Sequence, residues 1–149
     1  MSKSGWIAMD LDGTLVKYDK WVSAGHIGEP VVPMVKRVQD FLAEGREVRI
    51  FTARCWPLVL PLDVSQREAI EKWFAQSQLE VVQEFDASPE RITDALTAVK
   101  AIHEWTEQVF GQPLVVTCVK DYFMYQLFDD RAVSVQKNTG SCVSAEGAL

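Results

Sequence analysis

A chain of 149 residues fits one domain able to bury ~70% of its unfolded surface, and is short for two. At 48% hydrophobic and 24% charged it has the composition of a soluble globular protein, and no apolar run approaches the ~20 residues of a membrane span. The net charge, 15 − 21 = −6, argues against a nucleic-acid surface, which calls for a basic stripe, but leaves room for a nucleotide-sized substrate held by one local basic loop.

The segment Met1-Ser2-Lys3-Ser4-Gly5 is too short and polar for a secretion signal. Cys55, Cys118 and Cys142 form no CxxC pair, so free thiols in a reducing cytoplasm are the simplest account. His103-Glu104 lacks the second histidine of a zinc helix, and no glycine-rich phosphate loop is present.

Residues 6–9 read as a first buried strand, which runs into Asp10-Leu11-Asp12-Gly13-Thr14-Leu15. Residues two apart on a strand share a face, so Asp10 and Asp12 can enter one site at its carboxyl end unless the turn at Gly13 parts them. Carboxylates that close need a cation, a shared proton or a hydrogen-bonding loop to stay ionised. The competing reading is a solvated turn, since Asp-Gly is a common turn dipeptide. Residues 14–29, with Lys17, Tyr18, Lys20, Trp21 and His26, form a mixed loop placed to wall one side of a site; no chemical role is expected of His26.

Pro30 and Pro33 open a helix whose apolar face is Met34, Val35, Val38, Phe41 and Leu42, with Gly45 as its stop. Residues 47–51 alternate as a second strand ending at Thr52-Ala53-Arg54. Residues 55–62 form an apolar, proline-punctuated loop expected to pack on the core. Ser65-Gln66-Arg67-Glu68 reads as a capping box opening the next helix. Residues 78–87 are ambiguous between a short strand and an excursion packed on the helices. Ser88-Pro89-Glu90 is a strong helix start, and the apolar period runs to Phe110, where Gly111 and Pro113 stop it. Residues 114–119 read as a buried strand followed by Lys120-Asp121. Then Tyr125-Gln126-Leu127-Phe128 leads to Asp129-Asp130-Arg131, and residues 132–135 look like a last short strand. The domain is placed at 1–135, with 136–149 as a mobile polar tail.

Strands alternating with helical patterns predict a three-layer α/β, Rossmann-like domain with a mostly parallel central sheet and its site beyond the strands' carboxyl ends. The ordered set Asp10-x-Asp12, Thr52, Lys120, Asp129-Asp130 resembles the motif series of the haloacid dehalogenase-like (HAD) superfamily of phosphatases and phosphotransferases. The resemblance spans residues 7–135, and residues 116–133 look like small phage and bacterial members. Response-regulator receivers use similar parts, but their acidic pair comes first.

The resemblance implies a Mg²⁺-dependent phosphomonoester hydrolase working through an aspartyl-phosphate. Asp10 would be the nucleophile and Asp12 the acid and base. Thr52, Ala53, Arg54 and Lys120 would contact the phosphate, Arg54 being equally suited to pair with a surface carboxylate, and Lys120 would also neutralise Asp10. The Mg²⁺ ligands would be Asp10, Asp129 or Asp130 or both, and the backbone carbonyl of Asp12. Lys100, mid-helix, is the less suited lysine. Neither inter-motif segment has room for a large cap, so an open site is expected. It would take a phosphorylated small molecule or nucleotide-like substrate, and members without a cap can borrow a second subunit of a homo-oligomer as a lid. The alternatives are a phosphotransferase using an acceptor other than water and a non-catalytic binding protein that keeps the fold.

Overall fold

The computed structural model describes residues 4–144, 147 and 148. In chain order come β1 (Trp6–Asp10), α1 (Val32–Ala43), β2 (Glu47–Phe51), α2 (Val64–Gln76), α3 (Gln78–Phe85), α4 (Pro89–Phe110), β3 (Val116–Thr117) and β4 (Met124–Phe128). The central sheet has the order β3-β2-β1-β4, and every pairing in it is parallel. The chain is thus an α/β protein with a four-stranded parallel sheet and four helices among the described residues, an arrangement consistent with a Rossmann-like fold. No described helix is long and apolar enough to cross a membrane.

Register explains the core. Ile7 pairs with Val48 and Met9 with Ile50, while Ile50 pairs with Val116. Paired residues of a parallel ladder share a face, and these five residues are all apolar and buried. Phe128 pairs with Met9 and stacks its ring against Phe41 of α1, 5.7 Å between centroids, which places α1 over this face. Ile70, Val81, Ile92, Val99 and Ile102 from α2, α3 and α4 join the same core. The other face carries Trp6, Ala8, Glu47 and Arg49. There the Arg49 guanidinium lies 4.6 Å from the Trp6 ring and pairs with Asp121, which also accepts from Trp6 Nε1 at 2.8 Å.

Several local expectations hold. The α4 cap is Ser88, whose Oγ accepts from the Arg91 amide, and Gly111 closes the helix at φ +79°, a left-handed conformation that suits glycine. The three cysteines are free. Others are corrected. The cap of α2 is Asp63, accepting from the Gln66 amide at 2.7 Å, rather than Ser65, so the helix begins earlier than the Ser-x-x-Glu spacing suggests. Residues 78–85 are helix, closed by Asp86 at φ +49°. The strand expected over 114–119 shortens to Val116–Thr117, because its outer edge is taken by an antiparallel bridge from Leu62.

The strand expected at 132–135 does not enter the central sheet. Only β5 (Ser134–Val135) forms, and it pairs antiparallel with β6 (Cys142–Ser144), which pairs with β7 (Gly147–Ala148). The segment read as a mobile tail therefore supplies two strands of a small separate sheet; residues 145, 146 and 149 lie outside the described residues. The loop 55–62 divides its side chains: Cys55, Leu58 and Leu62 are fully buried, whereas Trp56, Val59 and Leu60 face out.

A buried polar pin joins the helices at a distance from the sheet ends. His103 on α4 accepts at Nδ1 from Arg67 Nε at 3.0 Å, so its Nε2 carries the proton and donates to the Leu62 carbonyl at 2.9 Å. Burial holds His103 below its ordinary pKa, in keeping with a neutral ring.

Candidate functional site

The topology creates the crevice. From β1 the chain steps through β2 to β3 on one side, then returns to lay β4 on the other side of β1. The strand order reverses at β1, and the carboxyl ends of strands flanking such a switch leave an open crevice. β1 delivers Asp10 there, and β4 delivers Asp129 and Asp130 immediately after Phe128. Side-chain oxygens of these three aspartates lie within 4.8 Å of one another.

A tight loop braces the cluster. The amides of Leu15 and Val16 bond back to the Leu11 carbonyl, and Leu11, Leu15 and Val16 are fully buried. Thr14 Oγ1 accepts from the Asp130 amide at 2.9 Å and lies 3.0 Å from Asp10 Oδ2 and 3.3 Å from Asp130 Oδ1. Its single proton serves one of these oxygens, the nearer being that of Asp10. Gly13 is left-handed at φ +87°, and a Cβ built on it would meet Asp130 Oδ2 at 2.5 Å. Glycine is required here both by its backbone and by the approach of Asp130.

Electrostatics follows from this crowding. Burial first, then the charge of Asp129, pushes the Asp10 carboxyl up from 3.8 to about 7; Thr14 opposes the shift and Asp130 adds to it. Asp10, Asp129 and Asp130 are the described residues that could hold a metal, and their all-oxygen donors would suit a hard divalent ion such as Mg²⁺.

Asp12 points elsewhere. Its Oδ2 and Oδ1 accept from Arg54 Nε at 2.8 Å and Nη2 at 2.7 Å. Arg54 is 8% exposed, and its Nη1 donates to the carbonyls of Ala24 and His26 at 3.1 and 2.6 Å. The guanidinium is thus engaged on both sides: it holds Asp12 and pins the 16–31 excursion, instead of standing free for an anion. His26 meets Arg54 through its backbone carbonyl.

Thr52 follows β2, one strand from Asp10, whose backbone partner is Phe51. It is 4% exposed, and its Oγ1 accepts from the Arg54 amide at 3.2 Å. Thr52, Ala53 and Arg54 line a cavity of about 930 Å³ together with Asp10, Asp12, Asp129 and Asp130. Seven of the eight residues expected at the site therefore share one cavity.

Lys120 is the exception. It is exposed and is not among the cavity-lining residues. Residues 118–123 carry the chain from the carboxyl end of β3 back to the amino end of β4. The next residue, Asp121, is tied to Trp6 and Arg49, and the Phe123 carbonyl accepts from the Trp6 amide. The expected neutralisation of Asp10 by Lys120 is thus not present in this arrangement. Lys100 lines a different cavity, with Glu71 and Glu104. The cationic residues of the acidic cavity are Arg54, Arg91 and Arg131.

The cavity also holds residues of the 14–29 loop, expected to wall one side of a site, together with Trp56 and Arg91, which were not assigned to it. Tyr18 and Trp21 come from the 16–31 excursion, Trp56 from the loop after β2, and Arg91 from the first turn of α4. Arg91 donates from Nε to the Trp56 carbonyl and from Nη2 to the Arg54 carbonyl, both at 2.7 Å. Comparison of the chain with protein-family models, with curated proteins and with solved structures finds no match.

Proposed function

We propose that this chain is a small, open-site phosphomonoester hydrolase of the HAD-like superfamily, dependent on Mg²⁺ and acting through an aspartyl-phosphate on Asp10. The observation that carries the reading is the meeting of Asp10, from the end of β1, with Asp129 and Asp130, from the end of β4, in a cavity that also contains Thr52.

Asp10, Asp129 and Asp130 would hold the cation, which when bound neutralises their mutual repulsion and lets a dianionic phosphate approach. Thr14 fixes the Asp10 carboxylate by one oxygen, leaving the other to attack phosphorus. The bond from phosphorus to the leaving oxygen then breaks, and the phosphoryl group rests on Asp10. Thr52 is placed to bond a phosphate oxygen through its hydroxyl. Arg91 and Arg131 bring positive charge to the same cavity.

Asp12 serves the proton transfers: it donates to the leaving oxygen, then takes a proton from the water that releases phosphate. To do so its carboxyl turns from Arg54 toward the cavity, so the pairing in this structure is the resting position of that group. Arg54 is accordingly a positioning residue.

The reading is tested by hydrolysis of an aryl phosphate with and without Mg²⁺, by the wild type and by Asp10→Asn. Turnover that needs Mg²⁺ and vanishes in the variant supports it. Turnover that survives Asp10→Asn removes Asp10 from the role.

A further inference from the structure

Part of the lining of the cavity is aromatic. Trp21 is 53% exposed, Trp56 55% and Tyr18 46%, yet all three line the same cavity as the acidic cluster. Large rings left open to water singly need no explanation, but three gathered on one cavity wall mark a contact surface. The indoles come from separate segments, and each is backed by an arginine. The Arg54 guanidinium lies 5.2 Å from the Trp21 ring centroid, and that of Arg91 lies 5.6 Å from the Trp56 centroid. Both guanidinium groups are themselves fixed, Arg54 by Asp12 and two carbonyls, Arg91 by the carbonyls of Trp56 and Arg54. The rings are therefore held in place before any ligand arrives, which lowers the ordering cost of stacking on them.

A sugar phosphate or a small aliphatic phosphate would leave these rings in water. A phosphate joined to a planar heterocycle would use both ends of the cavity, whose volume of about 930 Å³ is in the range of small-molecule sites. The net charge of −6 disfavours a long polyanion, which leaves the mononucleotide as the fitting form. We propose that the site takes nucleoside monophosphates, the base stacking on the open indole surface of Trp21 and Trp56 while the phosphate faces Asp10 and Thr52. The proposal rests on the phosphatase reading for the orientation of the phosphate.

Binding can be read apart from turnover. The Asp10→Asn protein, with Mg²⁺, is titrated calorimetrically with adenosine 5′-monophosphate, uridine 5′-monophosphate and ribose 5-phosphate, and the same is done after adding Trp21→Ala or Trp56→Ala. Leucine replacements repeat the test if an alanine variant fails to fold by circular dichroism. Both mononucleotides are expected to bind at least about tenfold more tightly than ribose 5-phosphate, and the tryptophan variants to lose that ratio. Equal binding of all three, or a ratio unchanged in both tryptophan variants, overturns the proposal. So does tighter binding of a short single strand bearing a 5′-phosphate. Wild-type kinetics separate the two readings: equal turnover of the mononucleotides and ribose 5-phosphate removes this proposal and keeps the phosphatase. Base-selective binding without any turnover supports this proposal and removes the phosphatase.

Discussion

Arg54 grips both carboxylate oxygens of Asp12, Nε to Oδ2 at 2.8 Å and Nη2 to Oδ1 at 2.7 Å, from 42 residues away in the chain. Two parallel N–H···O bonds fix direction as well as distance. The pair makes one side chain, Asp12, answerable to the loop after β2 and, through the carbonyls of Ala24 and His26, to the 16–31 excursion.

Removing Arg54 should therefore cost stability and activity together. Arg54→Met leaves Asp12 without its partner and takes a donor from the carbonyls of buried Ala24 and of His26, an expected loss of about 3 kcal/mol in urea unfolding. Arg54→Lys keeps the charge but not the fork, and should recover only part of either quantity. Asp12→Asn, by contrast, should lower kcat by roughly a hundredfold or more with a smaller effect on unfolding. Equal kcat for wild type and Asp12→Asn would remove Asp12 from proton transfer.

Asp10 predicts an inverted pH response in the metal-free protein. Its folded pKa, about 7, lies above the ordinary 3.8, so between those values the folded state holds a proton the unfolded chain has released. Stability then falls as pH rises across that window. Adding Mg²⁺ should restore stability most at the upper end, and Asp10→Asn should remove this contribution. Thermal unfolding at pH 5 and pH 8, with and without Mg²⁺, reads the effect.

Gly13→Ala tests the brace. A left-handed alanine costs about 1–2 kcal/mol, and its Cβ would displace Asp130 from the position 2.5 Å away. A folded protein with weakened Mg²⁺ binding by calorimetry is expected; unchanged affinity would show that Asp130 is not a ligand.

The His103 pin acts on the fold alone. His103→Ala strands Arg67 Nε and weakens the satisfaction of the Leu62 carbonyl, and should cost about 2–4 kcal/mol. Because burial lowers the pKa of His103 from 6.5, acid below that value protonates the unfolded chain first and stability falls there. The slope is opposite in sign to that of Asp10, so the double measurement separates the two residues.

Much of this was legible from residue order. Apolar runs that end abruptly in acids or threonine announced Asp10, Thr52 and Asp129-Asp130 as strand-end residues, and the alternation of strands and helices announced a parallel α/β sheet. Lys120 was expected at the site but lies outside the cavity lining, because residue type and order do not specify the path of 118–123, which a tie from Asp121 to Trp6 draws to the amino end of the sheet. Arg54 was read as a contact for an anion or as the partner of a surface carboxylate; its partner is a carboxylate of the site itself, Asp12, distant in sequence. Trp21 lies in the loop expected to wall a site, but Trp56 lies in a loop expected to pack on the core, and only the fold brings the two to one cavity. The strands β5, β6 and β7 are too short to show periodicity.

The most direct test of the account is a rapid acid quench of the Mg²⁺-loaded wild-type protein during turnover of a ³²P-labelled phosphomonoester, followed by peptide mapping. The account predicts covalent phosphate on the peptide containing Asp10, labile to hydroxylamine and absent from Asp10→Asn. Turnover with no covalent phosphate, or with the label on another residue, would contradict it.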